Sequence, residues 1–235
     1  MKRSRRYQGV ATLVPQEAAL GFDEAIEKLR AGATAKFDET AEITISLGIR
    51  ASQVVVRGTC NLPHGTGKSV RILAFAKGDK SAEAEQAGAD FVGGEDLATK
   101  IQGGWFEFDK VVATPDMMPV VGKLGKVLGP RGLMPSPKTG TVTKDVGQVI
   151  GELKRGMVEF RTDRFGVIHT VFGKASFEPS ALKENLLAVI ESVVERKPDE
   201  GLKGRYIKRV NIASTMGPGI TLDPAEVQSV MDSAS

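Results

Sequence analysis

HGTGKS, residues 64–69, is the stretch that most invites a chemical reading. A phosphate-binding loop needs a glycine five residues before the glycine of its Gly-Lys-Ser, so that backbone N–H groups cradle the phosphate, and a helix N-terminus after it. Leu62 occupies the first position here, and VRILAFA, after the Lys-Ser pair, has the composition of a strand. Cradle and helix are both missing from the pattern. His64 and His169 are the two imidazoles, and neither has a serine or cysteine nucleophile nearby in a recognisable elbow. His169 lies in an alternating strand pattern, where a histidine is usually a surface or hydrogen-bonded residue. Cys60, the one cysteine, falls on the apolar side of its strand and reads as a small core residue. Alone it makes neither an internal disulfide nor a zinc cluster. The 29 acidic residues bring carboxylates together by chance, and none sits in a diagnostic pattern.

The cations say more. The formal net charge is only +3, but the basic residues are grouped. Lys2, Arg3, Arg5 and Arg6 open the chain. Lys154, Arg155, Arg161 and Arg164 form a second group, and Lys203, Arg205, Lys208 and Arg209 a third. One such group is ordinarily a solvated face; three together favour a phosphate-rich partner. Two hydrophobic residues stand in polar company. Phe37 sits between Lys36 and Asp38 where a helix gives way to a strand, so it can stack on a base or ribose. Met216, in STMGPG, closes the last strand. The segment LGPRGLMPSPKTGTVT (128–143) has too many glycines and prolines for regular structure, and Arg131 and Lys138 charge it.

Three regions of two textures position these residues. In FDEAIEKLR, residues Phe22, Ala25, Ile26 and Leu29 share one helical face. In AEITISLGI, Ile43, Ile45, Leu47 and Ile49 alternate with Glu42, Thr44 and Ser46, the period of a half-buried strand; VVVRGTCNL repeats it. The middle region alternates apolar strands (RILAFA, DFVGG, FDKVVATP) with helices (SAEAEQAGA, EDLATKIQGG, MPVVGKLGKVL, KDVGQVIGELKRG), the signature of a parallel sheet covered by helices. The first texture then returns. MVEFR and VIHTVF suggest a hairpin around TDRFG, a long helix follows from Pro179 to the stop at Pro198, and GRYIKRVNIAST is a last strand, with the tail SVMDSAS expected to fray. The expected fold is mixed, α+β and α/β: a discontinuous α+β domain built from both ends of the chain (1–66 and 158–235) interrupted by an inserted α/β domain (67–157). Glycine-containing crossings near LPHGTGKS and KRGMV are where a hinge would act. No apolar run reaches the ~18 residues of a membrane span, and Gln8, Pro15, Gln16 and Glu17 break up any signal peptide after MKRSRR. A soluble intracellular protein is expected.

The ordered segments TAKFDET (34–40), VRGTCNLPHGTGK (56–68), AGADFVGG (87–94), FDKVVATPDMM (108–118), KLGKVLGPRGLMPSPKTGTV (123–142), EFRTD (159–163), GKASF (173–177) and STMGP (214–218) resemble the ribosomal protein L-one family, in its bacterial and organellar branch. The resemblance implies a non-enzymatic, two-domain ribosomal stalk protein without cofactor or metal, its discontinuous domain of split β-α-β type and its inserted domain a three-layer, Rossmann-like α/β. It implies binding to the stalk region of large-subunit rRNA, a part in the movement and release of exit-site tRNA, and repression of its own operon mRNA. It also implies a monomer off the ribosome, with no membrane partner, on a cytoplasmic or organellar ribosome. Carried over by position, the RNA surface comprises Lys36, Phe37, Thr40, Glu42, Thr215, Met216 and Gly217, flanked by Arg161, Arg164, Lys174 and Ser176. In this reading Thr40, Glu42 and Thr215 hydrogen-bond ribose, Phe37 and Met216 pack on sugars or bases, and the cations bind phosphates. Gly21 departs from the threonine the family usually carries at that helix start. Two other readings compete: an α/β enzyme binding a nucleotide or phosphate near Asp116 and residues 129–140, and a scaffold whose basic groups are merely solvated.

Overall fold

The computed structural model describes residues 3–14, 19–51 and 54–233; Lys2, Pro15, Gln16 and Glu17 lie outside them, as do the side chains of Lys138 and Lys203. In chain order the elements are α1 (Arg5–Ala11), α2 (Phe22–Gly32), β1 (Thr40–Ile49), β2 (Arg57–Asn61), β3 (Ile72–Phe75), α3 (Asp79–Gln86), β4 (Phe91–Gly93), α4 (Glu95–Gln102), β5 (Lys110–Ala113), α5 (Met118–Lys123) and α6 (Gly125–Leu128). They continue with α7 (Val146–Arg155), β6 (Met157–Arg161), β7 (Val167–Lys174), α8 (Pro179–Glu195), β8 (Leu202–Ser214), β9 (Ile220–Thr221) and α9 (Pro224–Ser233). The chain divides into two compact units, Met1–Gly67 with Gly156–Ser235, and Lys68–Arg155.

In the discontinuous unit, β1 is central. Its alternation buries Ala41, Ile43, Ile45 and Leu47 and leaves Glu42, Thr44 and Ser46 on the other face. It pairs antiparallel with β7 on one side and β8 on the other, in a sheet ordered β7-β1-β8-β9. The apolar stripe of α2 (Phe22, Ala25, Ile26, Leu29) and that of α8 (Leu182, Leu186, Val189, Ile190, Val193) cover the buried face as one core. Tyr206 of β8 ties sheet to helix: its buried hydroxyl donates to the Val193 carbonyl at 3.0 Å, and burial pushes its pKa up. Tyr206→Phe is expected to cost about 1 kcal/mol in urea unfolding, the typical net worth of one such bond.

Three elements depart from expectation. MVEFR and VIHTVF do not form an extended hairpin. Around their turn Thr162 bridges Ile168, after which β6 leaves to pair with β2 and β7 with β1. Asp163 holds that turn, accepting from the Phe165 and Val167 N–H groups, and the Val167 bond leads the effects that lower its pKa. Residues 229–233 do not fray but end α9, which starts at Asp223-Pro224 with Asp223 accepting from the Ala225 N–H; Ala234 and Ser235 lie outside the described residues. The basic arm contains a helix, α1. The departure at Gly21 also acquires a reason. Glu226 of α9 reaches across to accept from the Phe22 N–H at 2.7 Å, and a Cβ at position 21 would stand 2.7 Å from the Glu226 Oε1 atom. A side chain from a distant helix caps α2, and glycine leaves it room. Gly156, at φ 114°, is likewise required: a Cβ there would meet the Gly65 Cα at 2.4 Å.

The inserted unit holds a parallel sheet ordered β4-β3-β5. Leu73, Phe75, Val111 and Ala113 face the α4, α5 and α6 side with Ile101, Val121 and Leu128. Ile72, Ala74 and Val112, also buried, alternate with them and so belong to the opposite face, where α3 and α7 pack. The alternating texture predicts this helix-covered parallel sheet, and its three layers are those the family resemblance implies. Lys68 and Ser69 run into β3 rather than a helix, and Lys68 pairs with Asp109 at 3.1 Å, so no phosphate loop forms at 64–69.

Candidate nucleic-acid interface

One end of the four-stranded sheet gathers most of the residues marked in the sequence. The segment between α2 and β1 carries Lys36 and Phe37; the turn after β8 carries Thr215, Met216 and Gly217; β7 ends at Lys174. Register brings them together, since Thr40 pairs with Lys174 on one side and Ala41 with Ser214 on the other. Thr215 completes the junction: its hydroxyl accepts from the Thr40 N–H at 2.9 Å, and its N–H donates to the Thr40 carbonyl at 3.0 Å. The hydroxyl also turns its own proton to that carbonyl, at 3.4 Å, so it is committed to the backbone and Thr215 shapes the surface instead of hydrogen-bonding ribose. Thr40 is different. Its hydroxyl accepts from Lys174 Nζ at 2.9 Å, which leaves its own proton to donate outward. Lys174 Nζ also donates to the Asp38 carbonyl, and Ser176 donates through Oγ and N–H to the Asp38 carboxylate at 2.8 and 3.3 Å.

Below this junction lies a residue that the sequence reading passed over. Glu39 is 1% exposed and is surrounded by donors: Ala35 N–H at 2.9 Å, Ser214 Oγ at 2.7 Å and Met216 N–H at 2.9 Å. Burial alone would raise its pKa. The bonds from Ser214, Met216 and Ala35, with the nearby Arg6 charge, outweigh burial and hold it below the ordinary carboxylate value. The carboxylate thus cross-links the Lys36–Phe37 segment to the Met216 turn. The signal was parity. Glu39 shares the inward face of Ala41, Ile43 and Ile45, so an alternating strand places its carboxylate in the core and requires partners for it there.

Around this brace the surface is exposed and chemically open. Phe37 is 55% and Met216 48% exposed. The side chains of Lys36 and Glu42 are exposed and have no hydrogen-bond or ion-pair partner among the described residues. The N-terminal helix closes one side: Arg6 donates to the Met216 carbonyl at 2.9 Å and to Thr34 Oγ1 at 3.1 Å. Arg161 and Arg164 do not flank this cluster. They stand toward the other end of β7: Arg161 of β6 adjoins Thr162, which bridges Ile168, and Arg164 lies in the turn before Val167, which pairs with Ser46, whereas Thr40 pairs with Lys174. At ~3.3 Å per strand residue the separation is about 20 Å. Antiparallel pairing reverses direction, and closeness in sequence to GKASF did not carry the turn to the same end. There Arg164 lies 4.9 Å over Phe165, which is 70% exposed.

The carboxyl ends of β3, β4 and β5, where the enzyme reading places a nucleotide, carry Asp79, Glu95, Asp96 and Asp116, and the two lysines there, Lys77 and Lys80, pair with Glu95 and Glu83. The loop 129–140 is internally braced: Ser136 N–H donates to Thr141 Oγ1, the Thr139 and Thr141 hydroxyls lie 3.0 Å apart, and Arg131 lies 3.8 Å over Phe106. Among the described residues no group of three His, Cys, Asp or Glu is placed to hold a metal, and no helix is long and apolar enough to cross a membrane.

A split α+β unit interrupted by an α/β unit, with an open cationic and aromatic edge on the former, defines a class of two-unit proteins whose exposed chemistry suits a polyanion. The chain belongs to the Ribosomal protein L1p/L10e family, whose sequence model matches residues 29–218. It is 56% identical over 225 residues to a protein named "Large ribosomal subunit protein uL1" of Fervidobacterium nodosum, covering 94% of this chain and 95% of that one. It is 50% identical over 226 residues to the protein of the same name in Cutibacterium acnes, covering 95% and 97%. This is a ribosomal protein, not an enzyme.

Proposed function

We propose that the protein is a structural constituent of the large ribosomal subunit that binds the stalk region of large-subunit rRNA, and that the sheet end around Phe37 and Met216 is where it does so. The observation that carries this reading is the pairing of two half-exposed apolar side chains with the uncommitted Lys36 and Glu42 on a platform braced from beneath by Glu39. Folded RNA is recognised mostly by contour, 2′-hydroxyls and phosphates. Phe37 and Met216 pack on sugar or base faces, the Thr40 hydroxyl donates to a ribose or phosphate oxygen, and Lys36 and Lys174 supply the salt-dependent attraction. Glu42, a carboxylate facing a polyanion, accepts from a ribose hydroxyl and so discriminates RNA from DNA. Gly217 closes the turn that presents Met216, its N–H donating to the Ser214 carbonyl at 3.0 Å. Ser176 steadies Asp38 beside it. Arg161 and Arg164 offer a separate phosphate contact near the far end of β7.

The same surface takes a similarly folded element in the operon mRNA, which is how the protein represses its own translation, and the inserted unit serves exit-site tRNA movement. The test is a titration with a labelled transcript of the rRNA stalk junction and, separately, with ATP. Tight, salt-sensitive binding of the transcript without ATP binding is expected. ATP binding lost on altering residues 129–140, with no preference for the stalk transcript over unrelated RNA, would replace this reading with the nucleotide-binding one.

A further inference from the structure

The face that Arg6 closes has more in it than a brace. Between α1 and the turn after β8 runs a groove of about 630 Å³, lined by Arg3, Arg6 and Tyr7 on one side and Thr215, Met216 and Gly217 on the other. The helix is anchored there. Val10 is buried against Gly32 of α2, and the Arg6 guanidinium bonds Thr34 and Met216 together. The Met216 backbone is held on both sides, its N–H donating to Glu39 and its carbonyl accepting from Arg6.

The charges of α1 are misplaced for a helix that serves only itself. Its first turn contains no acidic residue and begins Arg5-Arg6, whereas the positive end of the helix dipole favours carboxylates. Arg3 and Arg5 are exposed and have no acidic partner among the described residues. Arg3 lies with its Cζ 4.6 Å over the Tyr7 ring. A guanidinium held over a ring face and without an acidic partner keeps N–H groups available to grip phosphate. A cation, an aromatic ring and a half-exposed methionine thus line one groove that opens beside the Phe37 surface.

We propose that the N-terminal helix forms a third wall of the RNA interface, in which Arg3 binds a backbone phosphate, Tyr7 with Met216 packs against the adjoining sugar and base, and Arg6 acts as the positioning residue. The inference rests on the RNA-binding reading above and adds residues 3–7 to it. The ligand is one nucleotide unit of the RNA, held by phosphate and ring face without readout of a base edge.

The test is the affinity of the full-length protein for the stalk-junction transcript across a salt series, with Phe37→Ala as a reference in the same assay. Arg3→Ala is expected to weaken binding severalfold and to lower the slope of log K against log salt by about 0.7–0.9, the loss of one phosphate contact. Tyr7→Leu is expected to weaken binding about tenfold with the slope unchanged, as removal of a stacking ring does. Arg6→Lys, which keeps the charge but not the two-point fork, should weaken binding with no change in slope. Melting temperatures at wild-type level show that these variants remain folded. If Arg3→Ala and Tyr7→Leu bind as wild type while Phe37→Ala loses affinity, α1 is no part of the interface. If Phe37→Ala also binds as wild type, the surface itself has been misassigned.

Discussion

Glu39→Gln is expected to lose about 3 kcal/mol of unfolding free energy at pH 7 and, in the part that stays folded, to bind the stalk transcript more weakly. The substitution keeps the volume and removes the charge. Its carboxylate accepts three bonds in a site 1% exposed. Hydrogen bonds to a buried charged group are worth roughly 1.5–3 kcal/mol each, and an orphaned buried donor costs about 1–3 kcal/mol. Glutamine can turn its oxygen to Ser214 and Met216 or to Ala35, not to both sides, and its NH₂ then faces another donor. The consequence for binding follows from what the carboxylate joins: losing it separates the segment carrying Phe37 from the turn carrying Met216. The advantage of the wild type should also depend on pH in a definite direction. The folded pKa of Glu39 lies below the ordinary value of 4.5. Its stabilisation is therefore complete above that value and is lost as pH falls through the folded pKa, where the bonded carboxylate takes up a proton. Urea unfolding of both proteins at pH 7 and in acid is the measurement. The gap between them should narrow as pH falls; a gap that stays constant or never opens would show that the site works without its charge.

Glu39 also marks where sequence reading succeeded and where it stopped. The helix α2 and the strand β1 were legible because their apolar residues recur at periods that only one structure satisfies, and the same holds for the stripe of α8. Alternation tells which face a residue takes but not which strand it meets. Thus β1 and β2 read alike, yet β1 pairs with β7 and β8 while β2 pairs with β6. Short elements carry little signal: β9 is Ile220–Thr221 alone, and α1 lacks the first-turn acids that announce a helix. The surface residues Lys36, Phe37 and Met216 could be marked from their types, but their meeting depends on register, which pairs Thr40 with Lys174 and Ala41 with Ser214. The same register sends Arg164 to the opposite end. The commitment of the Thr215 hydroxyl to the Thr40 backbone depends on a contact between residues 175 positions apart, beyond any local pattern.

Phe37→Ala is expected to weaken binding of the stalk transcript by roughly tenfold to a hundredfold, since ring stacking contributes about 1–3 kcal/mol per base in RNA complexes. Its effect on stability should fall within about 0.5 kcal/mol, because the ring is 55% exposed and lies at the lip of a shallow pocket shared with Arg30, Asp38 and Ser176. These two numbers separate the competing roles. A core phenylalanine truncated to alanine costs about 3–5 kcal/mol of stability, so a large fall in melting temperature would reassign Phe37 to packing. The salt series separates stacking from charge. Loss of a ring leaves the number of released counterions unchanged, so the Phe37→Ala line should run parallel to wild type and lower, whereas Lys36→Ala should flatten it by about 0.7–0.9. Phe37→Tyr keeps the ring and should restore most of the affinity. Wild-type binding by Phe37→Ala at every salt concentration would remove the aromatic from the interface, and with it the argument that this end of the sheet faces RNA.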